Sequence, residues 1–389
     1  LVPSINSFGH FESFLKLPEY RHLARYPEGG FVFPWGDHAE YGTMLCGDDA
    51  SFAFVTNIYD EILPHFSSKT VNIGCDETWE FDDDYDLYCT FVNRLAAYLK
   101  ARGYRVQIWA DILLRHPQSI RKLDPEICSL VWGYNDKYPF LRNLSCFTAQ
   151  NRQVAASPGT SAFLSICGRS LTALGNINDA ARAAKACHGL GILNTDWQHR
   201  LRALCIAFLP WAHGANAAWN VEAALHCDPA EEADELFFDG KFPDFCRLIY
   251  RFGQLSDILG RKIVVEDRST LFCLYEGRLT PESLHAYGVN EETMERYFAE
   301  LAALREEFIS VSCPSGENRR ELLHAVDLAQ LGGFFALRLL GCRQIPKYES
   351  LRQKVLADEA ALWDIHHVPS AIHHGMEQLH RMIQRYDCD

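Results

Sequence analysis

The chain has 389 residues, 48% of them hydrophobic, and a formal net charge of -14. That length can bury one large core and a smaller one. The negative charge argues against a general nucleic-acid or anionic-membrane binder, because phosphate binding needs a basic face. No apolar run of about 18 residues is present, so the sequence predicts no membrane span.

Short β-rich runs alternate with longer amphipathic stretches over roughly the first 200 residues. In chain order, the strand candidates are 2–5, 71–73, 106–109, 130–132, 154–156 and 192–194. Helical patterns lie between most of them, as over 85–102, where Phe91, Leu95 and Leu99 share one face before Gly103. Repeated strand–helix units predict parallel strands and an α/β fold.

The chemically informative side chains cluster just after the predicted strands. They are His10, Asp76, Glu77, Trp109, Asp111, Trp132, Tyr134, Asp196 and Trp197. A (β/α) barrel forms its active site at such strand ends. An open doubly wound sheet also uses its strand ends, but no Gly-rich phosphate loop follows any strand here. We therefore predict a catalytic (β/α)8 TIM barrel over residues 1–224, with about six strands in this sequence and the first two upstream.

Beyond residue 224 the sequence pattern changes from strands to helices. Asp228 and Thr280 each precede a proline, the order that starts a helix, and Asn290 precedes a long amphipathic stretch. The C-terminal histidines are interrupted by a proline and lack an obvious carboxylate partner, so we expect a solvated or interface face and no metal. We predict an all-helical domain over 225–389 with a structural or dimerisation role, as in a homodimer.

The 14 cysteines are scattered, and no Cys-x-x-Cys spacing occurs among them. Many lie in apolar segments, which is typical of buried thiols in a reducing compartment. A disulfide framework and a zinc site are therefore not expected, and neither is any cofactor. This cysteine usage favours the cytoplasm, while an export signal upstream of residue 1 stays open.

Asp76 and Glu77 stand side by side after the apolar run 70–74. Adjacent carboxylates resist ionising together, which suits a site where one group must donate a proton. Gly74 lets the backbone turn and lets a ligand approach closely. With a strand before the pair, a helical pattern after it and Trp79 beside it, we interpret the pair as the centre of an active site.

Three tryptophans, Trp109, Trp132 and Trp197, end or follow predicted strands. In the predicted barrel, their indoles would line one pocket at the strand ends. Pyranose rings bind such walls through their apolar C–H faces. Carboxylates in a tryptophan-lined mouth indicate glycoside hydrolysis. The usual scheme needs its two carboxyls several ångströms apart, whereas adjacent ones suit substrate assistance, in which a 2-acetamido oxygen attacks C1.

A series of motifs resembles glycoside hydrolase family 20, the β-N-acetylhexosaminidases. The segments are PSINSFGH at 3–10, VNIGCDETW at 71–79, WADI at 109–112, VWGY at 131–134, SPGTS at 157–161 and LNTDW at 193–197. They follow the family's order and cover residues 1 to roughly 200. The resemblance implies a barrel enzyme that removes terminal β-linked GlcNAc or GalNAc from a glycan or glycoconjugate.

The same resemblance assigns roles to individual residues. It implies that Glu77 is the general acid and then the base. It implies that Asp76 accepts the acetamido N–H and stabilises the positive oxazolinium. The other implied roles are His10 beside the acid, Trp109 and Trp132 as walls of the acetamido pocket, Trp197 under the sugar ring and Asp196 as an acceptor for sugar hydroxyls. Asp111 and Tyr134 are further substrate-binding candidates.

The sequence departs from the family pattern at two positions and lacks a third feature. Phe163 stands where a family tyrosine donates to the acetamido carbonyl, and Ser165 stands where an aspartate is common. The family's sugar-binding arginine is expected upstream. Two alternatives therefore stay open. One is a catalytically weak carbohydrate-binding protein, and the other is a conventional glycosidase on neutral sugars with Asp111 or Asp196 as the second carboxylate.

Overall fold

The computed structural model describes residues 1–32, 38–81, 84–197, 201, 203–260 and 267–387. The chain forms two compact units. The first comprises Leu1–Gly133, Pro139–Ser157 and Ala180–Leu193, and the second comprises Tyr134–Tyr138, Pro158–Asp179 and Asn194–Asp389. The boundary between a catalytic barrel and a helical domain, expected between residues 224 and 225, stays a prediction.

The first unit contains a parallel sheet whose strands follow one another in chain order. Strands β1 (Phe31–Val32) and β2 (His38–Ala39) form a separate antiparallel pair, while the sheet has the order β3 (Thr70–Asn72), β4 (Arg105–Trp109), β5 (Cys128–Trp132) and β6 (Val154–Ser157). All neighbours in the sheet are parallel. The predicted α/β fold with parallel strands is therefore confirmed.

Chain segments pair with both outer strands of this sheet without forming full strands. Beside β3, the Ile5 N–H donates to the Asn72 carbonyl at 2.8 Å, and the Asn72 N–H donates to the Pro3 carbonyl at 2.9 Å. Beside β6, Ala156 forms an isolated parallel bridge with Ile192. The predicted strands 2–5 and 192–194 are thus reduced to single bridges. In the first case Pro3 has no N–H with which to extend the ladder.

Helices connect the strands of the first unit, as the sequence pattern predicts. The helices up to residue 186 are Glu12–Leu15, Asp49–Ile62, Tyr85–Lys100, Asp111–Arg115, Phe140–Thr148 and Ser170–Ala186, with 3-10 turns at Arg21–Leu23, Leu63–His65, Trp79–Phe81 and Pro117–Lys122. The helix Tyr85–Lys100 buries Phe91, Leu95 and Leu99. Gly103, with φ of 82°, ends the turn that follows it, because glycine adopts positive φ without steric cost.

The described part of the chain beyond residue 203 is helical. Its helices are Phe208–Trp219, Val221–Ala224, Pro229–Phe238, Pro243–Phe252, Leu255–Ile258, Thr270–Glu276, Pro281–Ala286, Glu291–Ser310, Gly316–Leu339, Tyr348–His366 and Ile372–Gln384, with 3-10 turns at Leu204–Ala207 and Pro369–Ala371. Asp228, Thr280 and Asn290 each cap the helix that the sequence predicts after them.

The helix Gly316–Leu339 lies in the core of the second unit. It is long and apolar enough to cross a membrane, yet 72% of its most apolar window is buried inside the protein. Two tyrosine hydroxyls hold its backbone: Tyr275 donates to the Leu328 carbonyl at 2.8 Å and Tyr297 to the Ala329 carbonyl at 2.7 Å. This burial is that of a core helix.

We predict that Leu95→Ala destabilises the first unit. Leu95 is fully buried on the helix Tyr85–Lys100, so truncation removes buried methyl groups and leaves a cavity. The free energy of unfolding, measured in urea, should fall by about 2–5 kcal/mol. Thr90→Ala, at an exposed position of the same helix, is the control and should change it by no more than about 0.5 kcal/mol. Equal effects of the two substitutions would contradict the packing described here.

Candidate active site

Asp76 and Glu77 lie in a turn of left-handed backbone directly after β3. The φ angles of Gly74, Cys75 and Glu77 are 70°, 73° and 53°. Non-glycine residues in this region cost about 1–3 kcal/mol each and cluster at functional sites. The position of the predicted acid pair therefore has a costly backbone conformation, and its catalytic role stays a prediction.

Hydrogen bonds from three directions hold this turn. The Tyr88 hydroxyl donates to the Cys75 carbonyl at 3.0 Å, and the Gly74 N–H donates to Asn72 Oδ1 at 2.7 Å. The Trp109 N–H donates to the Gly74 carbonyl at 3.0 Å, which extends the β3–β4 pairing past the end of β3. The backbone of the acid pair is thus fixed by its own strand, the next strand and the following helix.

His10 contacts both carboxylates. Its Nε2 atom lies 3.3 Å from Asp76 Oδ2 and 3.4 Å from Glu77 Oε2. The hydrogen bond to Asp76, and then the charges of Asp76 and Glu77, raise the pKa of His10 to about 9 against the opposing effect of burial. At neutral pH the His10 ring is therefore protonated, beside the carboxyl groups of Asp76 and Glu77.

The chain approaches the acid pair closely at Gly9. A Cβ atom at Gly9 would lie 2.4 Å from the Asp76 carbonyl oxygen, so no other residue fits without a shift of the backbone. His10 itself has a φ of 56°. Ser7 lies three residues before His10, and its hydroxyl donates a hydrogen bond to the Ile73 carbonyl at 2.6 Å. These contacts hold the segment that carries His10 against the end of β3.

Asp76 presents one oxygen to His10 and keeps the other buried. No hydrogen-bond partner for Asp76 Oδ1 exists among the residues that the structure describes. A buried acceptor without a partner costs about 1–3 kcal/mol. Such an atom is suited to accept an N–H or O–H from a bound ligand.

Asp111 joins the ends of three strands. It follows β4, and its Oδ2 accepts the Glu77 backbone N–H at 2.9 Å while its Oδ1 accepts the Trp132 indole N–H at 3.3 Å. Burial first, and then the negative charge of Asp76, raise the pKa of Asp111 well above its usual range. Substrate contact by Asp111 stays a prediction.

Trp109 and Trp132, both in the first unit, differ in exposure. Trp109 is 5% exposed and packs with Cys128, Leu130 and Ala155, and Trp132 lies against this cluster, partly buried. The apolar layer at the strand ends therefore contains both indoles. Their predicted role as walls of a sugar pocket stays a prediction.

The remaining predicted residues lie together in the second unit. The Trp197 indole N–H donates to the Tyr134 hydroxyl at 2.9 Å, and the Thr160 hydroxyl donates to Asp196 Oδ1 at 2.6 Å. Trp197 is 44% exposed, and its predicted place under the sugar ring stays a prediction. Phe163 is buried, and its ring meets that of Tyr134 edge-on with centroids 5.1 Å apart. The position where the family has a tyrosine is thus an apolar packing position here.

Sequence reasoning missed two residues that shape the acid pair. Gly9 precedes His10 in the first motif, so its place in that motif is a usable signal. Tyr88 is recognisable only as a buried position of the helix Tyr85–Lys100, and nothing local marks its hydroxyl as a partner of Cys75. In the described part of the chain, no group of three or more His, Cys, Asp or Glu side chains is arranged to hold a metal ion.

Comparison with known proteins finds similarity at the level of structure. No protein-family model matches the sequence, and no curated protein matches it. A β-N-acetylhexosaminidase from Bacteroides fragilis NCTC 9343 matches 42% of this chain and 32% of its own, with 21% identity and a TM-score of 0.30. An inactive mutant of a family 20 exo-β-N-acetylglucosaminidase from Vibrio harveyi matches 42% and 26%, with 18% identity and a TM-score of 0.32.

A third solved structure, a glycoside hydrolase family 20 β-N-acetylglucosaminidase, matches 42% of this chain and 35% of its own, with 17% identity and a TM-score of 0.30. The match thus spans about a third or less of each of these proteins. Their names are β-N-acetylhexosaminidase and β-N-acetylglucosaminidase, the activity of the family whose motifs the sequence resembles. Activity and substrate are matters for proposal.

We predict that His10 stabilises the protein only while it is protonated. Its folded-state pKa of about 9 lies above the ordinary value of 6.5, so its contribution is complete below pH 6.5 and is lost as the pH rises through 9. Between about pH 6 and about pH 10, the urea midpoint of His10→Gln should therefore fall less than that of the unchanged protein. His22→Gln, at an exposed position, is the matched control. Parallel pH profiles for all three proteins would refute the charge assignment.

Proposed function

We propose that the chain carries the catalytic site of an exo-acting glycoside hydrolase that removes terminal β-linked N-acetylhexosamine by substrate-assisted retention. The observation that carries the proposal is the adjacent pair Asp76 and Glu77, held in a strained turn and bridged by His10. The family resemblance of the motifs supports the same reaction. Neither a metal nor a cofactor is required for it.

The position of the pair argues for a reaction with one acid and one orienting group. Conventional glycosidases place two carboxyls on either side of the scissile bond, about 5–5.5 Å apart in retaining enzymes and about 6.5–9.5 Å apart in inverting ones. Here Asp76 Oδ2 and Glu77 Oε2 converge on one nitrogen atom of His10. Oxygens that share one partner approach the substrate from the same side, which suits substrate assistance.

Asp76 is suited to hold the acetamido group. Its Oδ2 is engaged by His10, while the buried Oδ1 is an acceptor that a substrate N–H would satisfy. An ionised acceptor that binds an N–H both orients the amide and raises the electron density on its carbonyl oxygen. The same negative charge stabilises the positive oxazolinium once it forms.

The proposed reaction has two steps. In the first, the acetamido carbonyl oxygen bonds to C1, the glycosidic C–O bond breaks, and the leaving oxygen takes the proton of Glu77. In the second, the Glu77 carboxylate takes a proton from water, the water oxygen bonds to C1, and the oxazolinium C–O bond breaks. Glu77 regains its proton, and the sugar keeps its β configuration because C1 is inverted twice.

The finer parts of the fold and the site belong to this proposal. We take the parallel sheet as part of a (β/α)8 barrel, with Trp109 and Trp132 as walls of the acetamido pocket. The roles of Tyr134, Asp196 and Trp197 stay predictions. So do the glycan partner, a homodimer and a cytoplasmic location.

The alternatives have less support. Both oxygens of Asp111 accept protein N–H groups, so Asp111 is poorly placed to act as the second carboxylate of a conventional glycosidase. Phe163 cannot donate a hydrogen bond, which is the motive for a weak carbohydrate-binding protein. The complete pair of Asp76 and Glu77 with its bridging histidine argues against a loss of catalysis.

Hydrolysis of nitrophenyl glycosides tests the proposal. We expect the 389-residue chain to hydrolyse the β-GlcNAc or β-GalNAc compound at least about 100-fold faster than the β-glucoside, which has no acetamido oxygen to attack C1. Glu77→Gln and Asp76→Asn should each lower kcat by about 10²- to 10⁴-fold. A thiazoline mimic of the oxazolinium should inhibit the reaction.

The matched control is Asp86→Asn, an exposed carboxylate on the helix Tyr85–Lys100, which should leave the rates unchanged. Equal turnover of the β-glucoside would rule out substrate assistance. Tight binding of N-acetylhexosamine without turnover would identify the carbohydrate-binding alternative.

A further inference from the structure

Asp111 ties the proposed general acid to the tryptophan at the end of the next strand but one, through a single carboxylate. Its Oδ2 accepts the backbone N–H of Glu77 at 2.9 Å, and its Oδ1 accepts the indole N–H of Trp132 at 3.3 Å. Glu77 follows β3, Asp111 follows β4, and Trp132 ends β5. One carboxylate thus spans three consecutive strand ends.

We infer that Asp111 is a positioning residue for the proposed general acid, which fixes the backbone of Glu77 relative to the indole of Trp132. The inference rests on the proposed function and assigns Asp111 a role through Glu77 rather than a contact with the sugar. It therefore differs from the substrate-binding role expected from the sequence.

The backbone of Glu77 explains why such a group is needed. Glu77 has a φ of 53° and lies beyond the end of β3 at Asn72, so its N–H is outside the ladder of the parallel sheet. Asp111 supplies the acceptor that this N–H requires, and a charged acceptor forms the stronger bond. A rotation of this peptide would move the carboxyl of Glu77 away from the leaving oxygen.

Only an ionised carboxylate serves both donors fully. An asparagine side chain has one acceptor oxygen and an amide nitrogen that can only donate, so Asp111→Asn would turn a donor toward one of the two N–H groups. Ionised Asp111 is costly to keep, since burial and the charge of Asp76 both favour its neutral form. A buried carboxylate that holds the backbone of the proposed acid through a hydrogen bond is a candidate for a role in the reaction.

Leaving-group dependence distinguishes this role from a merely structural one. A phenyl leaving group needs a proton from Glu77, whereas a 2,4-dinitrophenyl leaving group departs as a stable anion. Asp111→Asn should lower kcat for phenyl β-N-acetylglucosaminide about 10- to 100-fold, as expected for a displaced acid. The loss on the dinitrophenyl compound should be below about 3-fold. Glu77→Gln should show the same selectivity with a larger loss.

Two further variants keep the test decisive. Asp111→Ala removes both acceptors and should show the same leaving-group selectivity with a greater loss than Asp111→Asn. Asp124→Asn is the matched control: Asp124 lies before β5, accepts the Glu126 N–H at 2.9 Å and binds Lys100. It should leave both rates unchanged. Thermal unfolding of each variant identifies any that fails to fold, and folded variants alone are compared.

The outcomes separate the inference from the proposed function. Equal losses on both substrates in folded Asp111 variants, with selectivity intact in Glu77→Gln, would overturn the positioning role alone. If the chain without substitutions hydrolyses neither compound, the proposed function is wrong, and the role of Asp111 that rests on it is wrong as well.

Discussion

The arrangement of polar side chains at the strand ends of the first unit depends on one constraint, the left-handed turn after β3. Gly74, Cys75 and Glu77 all have positive φ, which is costly for the two residues with side chains. The turn persists because its carbonyl and N–H groups are bound by Tyr88, Asn72 and Asp111. These bonds place two carboxylates side by side on a rigid strand end rather than on a free loop.

Charge is the second constraint, and it follows from the first. Asp76, Glu77 and Asp111 lie in one partly buried region, where burial and the charge of Asp76 raise the pKa of Asp111. His10 offsets this with one positive charge, and its raised pKa keeps that charge present at neutral pH. The close approach at Gly9 makes this contact possible, since a side chain there would meet the Asp76 carbonyl.

Much of the fold could be predicted from local patterns. The strand candidates 71–73, 106–109, 130–132 and 154–156 agree with β3 to β6 within one or two residues at each end. Their pattern is local: β-rich runs bounded by helices and turns. The caps at Asp228 and Asn290 were equally local. The outer segments 2–5 and 192–194 were harder to predict. The length of a strand at the edge of a sheet depends on how many backbone hydrogen bonds it forms with the neighbouring strand, and the local sequence does not show that number.

By itself, the sequence determined which residues are candidates for the chemistry. Asp76 and Glu77 are adjacent in the chain, and the motif series places His10, Trp132 and Asp111 at strand ends. Tertiary structure alone decided what these groups do to each other, because residues 10, 77 and 111 come together only through parallel pairing of β3 with its neighbours. Left-handed backbone at Cys75 and Glu77, the bridging imidazolium and the two-sided contact of Asp111 all require partners distant in sequence. No local pattern specifies them.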